Sequence, residues 1–91
     1  MNLGIYDKAI ENYNKYIELK PNASFVYTNL GWIYSHIGDD AVAMENYKKA
    51  IQIDPYNSTA YTNISIMFRN QNKQAEADAA LEKAREAREK N

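Results

Sequence analysis

Asn29 and Asn63 stand 34 residues apart, and each carries an amide that both donates and accepts hydrogen bonds. Such a pair can hold the backbone of an extended peptide, or it can bond a neighbouring helix and serve packing alone. Trp32 comes three residues after the first and Ile66 three residues after the second. Arg69 comes three residues after Ile66. Tryptophan and arginine are enriched where one protein grips another. Catalytic chemistry is poorly supplied by comparison. The chain has no cysteine and one histidine, His36, so a zinc site built from those ligands is out of reach. No glycine-rich phosphate loop, histidine pair or nucleophile motif is present. Asp39 and Asp40 are paired carboxylates, but they sit at a helix start, where capping accounts for them. No catalytic residue, metal or cofactor is expected, and the chain reads as a non-enzyme.

The 91 residues allow one domain. Eleven basic and 12 acidic residues leave a net charge of -1. A nucleic-acid protein would carry a basic patch to displace counterions, so no nucleic-acid partner is expected. A polybasic membrane role is disfavoured for the same reason. The first residues lack the basic start and apolar run of a signal peptide, and no stretch is apolar enough to span a bilayer. A cytoplasmic setting is the default expectation. Asn22, Asn57 and Asn63 each begin a glycosylation pattern, which in so Asn-rich a chain reads as coincidence.

The elements that position Asn29 and Asn63 emerge from a 34-residue repeat. Shifted by 34, Pro21 falls on Pro55, Tyr27 on Tyr61, and Thr28-Asn29-Leu30 on Thr62-Asn63-Ile64. Ala9, Ala43 and Ala77 align, as do Tyr13, Tyr47 and Leu81. Each unit reads as two helices. Tyr27, Leu30, Gly31 and Tyr34 share one helical face. Gly38 offers a stop, and Asp39 or Asp40 a cap for the next helix. Ala43, Met44, Tyr47, Ala50 and Ile51 form the inner face of the second helix. Asp54-Pro55 ends it, because the residue before proline resists the helical conformation. Asn57 or Ser58 caps the helix after the proline. The pattern predicts five helices, at 3–19, 24–37, 40–53, 58–71 and 74–90.

The spacing Tyr27-x2-Leu30-Gly31-x2-Tyr34, then Ala43-x3-Tyr47, Ala50 and Pro55, closely resembles the tetratricopeptide repeat. The resemblance covers the whole chain. It implies an all-α, right-handed α-solenoid of antiparallel helix pairs in a single domain over 1–91. Residues 3–23 form a half repeat holding a second helix only, and 24–57 and 58–91 form full repeats. There are departures. Ser65 replaces Gly31 one repeat on, so that hairpin is expected to pack slightly wider. Tyr16 stands where Ala50 and Ala84 sit, Glu89 replaces the proline, and Asp40 replaces the aromatic seen at Tyr6.

The resemblance also implies a concave groove lined by the first helices, with function in binding a peptide or protein segment. The candidate residues are Phe25, Thr28, Asn29, Trp32 and His36 on one helix, and Thr59, Thr62, Asn63, Ile66, Arg69 and Asn70 on the other. Some repeats of this kind clamp a carboxylate with Lys and Asn. Thr28, Thr62, Trp32 and Ile66 occupy those places here, so a neutral, partly apolar segment is expected. Helical repeats that read RNA use basic grooves, and this inner face has one arginine.

The two ends differ. The outer positions Ile10 and Ile17 become Met44 and Ile51, then Asp78 and Arg85. A solenoid needs a polar face on its last unit, so helix 74–90 is expected to act as a polar cap. Its charge run supplies i+4 pairs such as Arg85–Glu89 and Glu86–Lys90. At the other end, Tyr6, Ala9, Tyr13 and Tyr16 are expected to face a missing neighbour. That points to a chain cut from a longer array, or to self-association of copies through the N-terminal helix as the alternative function.

Overall fold

Prolines, caps and helix stops divide the chain, and the computed structural model describes residues 3–90 of it. Five helices succeed one another: α1 (Leu3–Leu19), α2 (Ser24–His36), α3 (Asp40–Ile53), α4 (Ser58–Asn70) and α5 (Gln74–Lys90). The helices predicted to reach 37 and 71 each stop one residue earlier, because Ile37 and Gln71 serve as C-caps. No strand occurs among the described residues.

The stops have a common geometry. After α2, Asp39 N–H donates to the Tyr34 carbonyl at 2.8 Å and Gly38 N–H to Ser35 at 3.2 Å. This double closure requires a left-handed residue, which Gly38 supplies with φ 92. After α4, Lys73 N–H donates to Phe68 and Asn72 N–H to Arg69. There Asn72 takes the left-handed place, with φ 61. Asp39 then caps α3 by accepting from Val42 N–H at 3.2 Å, and Asn57 caps α4 by accepting from Ala60 N–H at 3.0 Å.

α2 pairs with α3 and α4 with α5. Ser65 is fully buried in the second hairpin, where Leu81 stands at the place that Tyr47 holds one repeat earlier. Each hairpin closes over small residues. Ala43, Ala50, Ala77 and Ala84 are fully buried, so helix axes can approach, and Tyr47 fills the space between α2, α3 and α4 at 1% exposure. Met44 and Ile51 pack partly buried against this core.

Among the described residues α2 touches α4, whereas α1, α3 and α5 do not touch one another. Inner helices that meet and outer helices that splay make a curved stack. Its concave side is the α2–α4 face.

The repeat junction is polar. Asn57 Nδ2 donates to Ser24 Oγ and to Thr28 Oγ1, both at 2.8 Å. Ser24 Oγ donates in turn to the Ala50 carbonyl at 2.9 Å, and Thr28 Oγ1 to the Ser24 carbonyl at 3.2 Å. One amide thus ties the start of α4 to the start of α2 and, through Ser24, to the end of α3.

At the C-terminal end Asp78 and Arg85 are exposed. Tyr61, Ile64, Phe68, Ala79 and Ala80, together with the charged Glu76 and Lys83, line a shallow depression between α4 and α5. Arg85 pairs with Glu82, three residues back on the same face.

Candidate functional site on the concave face

On α2, Phe25, Asn29, Trp32 and His36 fall on one face at helical spacing, and on α4 so do Thr59, Asn63, Ile66 and Asn70. Two depressions lie along the α2–α4 seam. One is lined by Phe25, Thr28, Asn29, Asn57 and Thr59. The other, of about 210 Å³, is lined by Trp32, Ser35, His36, Tyr47, Asn63 and Ile66. Neither is lined by a carboxylate, a lysine or an arginine.

Trp32 is the centre of the second depression and remains 42% exposed; Ile66 is 45% exposed. His36 stacks on the indole with ring centroids 3.7 Å apart and planes inclined by 27°. His36 Nδ1 lies 2.9 Å from the Trp32 carbonyl. A carbonyl only accepts, so the proton sits on Nδ1, and in the neutral ring Nε2 is left as an acceptor. This contact holds both rings in place. Asn63 makes no side-chain hydrogen bond among the described residues, so its amide can pair with a ligand. Tyr47 closes the depression from behind. Burial, and then the Asp40 carboxylate, push its phenol up to about 12, so it is a neutral donor at ordinary pH.

The remaining candidates are distributed differently from expectation. Thr28 is buried at 3% exposure, and its hydroxyl is committed to Ser24 and Asn57. Its place on the helix is at the junction with α4, where a ligand reaches only its edge. Asn29 donates to the Tyr13 hydroxyl at 3.3 Å, so it bonds the neighbouring helix while its twin Asn63 stays unbonded. Thr62 turns its hydroxyl back to the Ser58 carbonyl at 3.0 Å. Arg69 and Asn70 are exposed and line neither depression. The sequence marks Asn57 as a cap alone, and its second role at the junction emerges only in the fold. The signal that could reveal it is its position one repeat from Ala23, where the earlier unit has no side-chain cap.

The tyrosines of α1 do not stand apart from this surface. Tyr6 meets Trp32 with ring centroids 6.2 Å apart, and Tyr16 meets Phe25 edge-on at 5.6 Å. With Ile5, Ala9, Tyr13, Asn29 and Ile33 they extend the α2 face into a notch between α1 and α2. Trp32 is the wall shared by notch and groove. The two sets of residues that the sequence separates, groove and N-terminal patch, form one continuous surface.

Fold and surface together define an α-solenoid whose two concave depressions are lined by no carboxylate, lysine or arginine. Tetratricopeptide repeat profiles match residues 1–23, 26–57 and 58–91. The chain belongs to the tetratricopeptide repeat family, whose members are in general protein-interaction scaffolds. No curated protein matches it by sequence. Among solved structures it is similar to a crystal structure of MamA, at 30% identity and a TM-score of 0.84. That match covers 97% of this chain and 52% of the other. A second crystal structure, of MamA protein, matches at 30% identity and a TM-score of 0.81, covering 93% and 46% respectively. The chain therefore spans about half the length of these relatives.

Proposed function

We propose that this chain is a scaffold that holds a neutral, partly apolar segment of another protein along the α2–α4 face, with no catalytic role. The observation that carries the reading is the second depression. Half-exposed Trp32 and Ile66 lie beside the unbonded amide of Asn63, with no charge to favour an ionic ligand. Exposed tryptophan in a preformed recess is the usual anchor of an interface. Asn63 offers a donor and an acceptor to a peptide backbone, while Trp32 and Ile66 cover its apolar side chains. The pre-stacked His36 ring means that little side-chain freedom is lost on binding.

The test is selection from a displayed random-peptide library, with titration of the selected peptides, fluorescently labelled, by anisotropy. Neutral peptides with apolar residues are expected. Trp32→Ala is expected to weaken them roughly thirtyfold, and Asn63→Ala by a smaller factor. Binders that ignore both substitutions, or that are uniformly acidic, would sink the proposal.

A further inference from the structure

The two ring nitrogens of His36 have different tasks. Nδ1 donates to the Trp32 carbonyl at 2.9 Å, and the ring stacks on the indole with centroids 3.7 Å apart. Bond and stack together fix the ring, so the neutral imidazole presents Nε2 as an acceptor only. Nε2 makes no hydrogen bond among the described residues. The depression that His36 lines is walled by Trp32 and Ile66 and backed by Tyr47, and its other polar side chains are Ser35 and Asn63. A serine hydroxyl rotates to donate or accept, and an asparagine amide does both. Nε2 is the one polar group of the depression with a fixed demand. A ligand that fills the recess without a donor covers this acceptor and leaves it unpaired, at the cost of a lost hydrogen bond.

We propose, resting on the groove function above, that this depression selects an aromatic side chain with a single hydrogen-bond donor, and that His36 reads the donor. The anchor of the held segment is then tryptophan or tyrosine. Half-exposed Trp32 and Ile66 offer a broad apolar contact to a ring, and aromatic pairs gain beyond their buried area. The tryptophan N–H or the tyrosine O–H then donates to Nε2. Lysine and arginine bring several donors and a charge, whereas the depression has one fixed acceptor and no carboxylate. Aspartate and glutamate bring acceptors alone and meet no lysine or arginine there. Leucine and phenylalanine fill the space but leave Nε2 unpaired. Asn63 is not needed for this contact and keeps its amide for the backbone of the segment. His36 thus sets which side chain is chosen, while Trp32 supplies the area on which it rests.

The probes are uncharged peptides from displayed pools whose central residue is fixed as tryptophan, tyrosine, phenylalanine or leucine. They are synthesised with a fluorescent label and titrated by anisotropy. The tryptophan and tyrosine pools are expected to yield the tight binders. In such a binder the donor is removed by exchanging tyrosine for phenylalanine, or tryptophan for benzothienylalanine, which keeps the ring shape without the N–H. That removal is expected to weaken binding about fivefold. On the His36→Phe chain, which keeps a ring beside Trp32 but has no Nε2, the same removal is expected to change nothing. His36 is exposed, so this substitution leaves the core intact. Tight binders from the phenylalanine or leucine pools, or an equal loss on both chains, overturn the assignment of His36 alone, provided that Trp32→Ala still weakens binding. No binding from any pool overturns it together with the groove. A chain that doubles its mass in light scattering without peptide, and returns to monomer with Trp32→Ala, gives the depression to a second copy and overturns it as well.

Discussion

Gly31 and Tyr47 meet so closely that no side chain fits between them: a Cβ on Gly31 would stand 2.5 Å from Tyr47 Cε1 and 2.6 Å from Cδ1. The ring is 1% exposed and has nowhere to retreat. Gly31→Ala is therefore expected to destabilise the fold by about 1–3 kcal/mol in urea denaturation, despite the better helix propensity of alanine. Adding Tyr47→Leu is expected to recover part of that loss, because Ser65 and Leu81 make this same exchange one repeat on. Two additive losses would show that the contact is not the cause.

Ser65 is fully buried, and its hydroxyl has no hydrogen-bond partner among the described residues. An unpaired buried hydroxyl costs about 1–3 kcal/mol. Ser65→Ala keeps nearly the same volume and removes that cost, so a gain of about 1 kcal/mol is expected, read as a higher urea midpoint at unchanged slope.

Asn57 combines a cap with a junction, and two substitutions separate the roles. Asn57→Asp keeps the oxygen that accepts from Ala60 but loses the donor to Ser24 and Thr28. Asn57→Ala loses both. We expect losses of about 1 kcal/mol for the aspartate and about 2–3 kcal/mol for the alanine. Equal losses would mean that the junction bonds contribute nothing.

Tyr47 links stability to alkaline pH. Its folded phenol is pushed from 10.0 up to about 12 by burial and by Asp40. Between those values the folded protein keeps a proton that the unfolded chain releases. Stability is fully present below 10 and falls as pH rises toward 12, by on the order of 2 kcal/mol. The check is the difference between the wild type and Tyr47→Phe across that window. Parallel curves would remove the phenol from the account.

The helices and their order were legible because the 34-residue register repeats both apolar faces and stop signals, and Gly38 and Pro55 bracket α3 in plain view. The site was only partly legible. Periodicity places Thr28 and Thr62 on the same face of their helices, but it does not say which hydroxyl meets Asn57. The twins Asn29 and Asn63 are alike in sequence and differ in structure because Tyr13 lies beside one of them. Such contacts join residues from different helices, and their distances depend on packing angles that no spacing encodes. The same holds for Tyr6 and Tyr16, whose rings lean onto Trp32 and Phe25 instead of facing away from the chain.

Among the described residues α1 is held by α2 and by no other helix. In a stack whose members touch only their neighbours, opening is local and begins where a member has one neighbour instead of two. Both end helices have one neighbour, but α5 buries four alanines and α1 no described side chain, so the molecule unzips from α1 inward, and the amides of α1 exchange deuterium before those of the α2–α3 hairpin. When α1 opens, the Tyr6 and Tyr16 rings leave Trp32 and Phe25, so the hinge at one end sets how much of the α2 face stays covered.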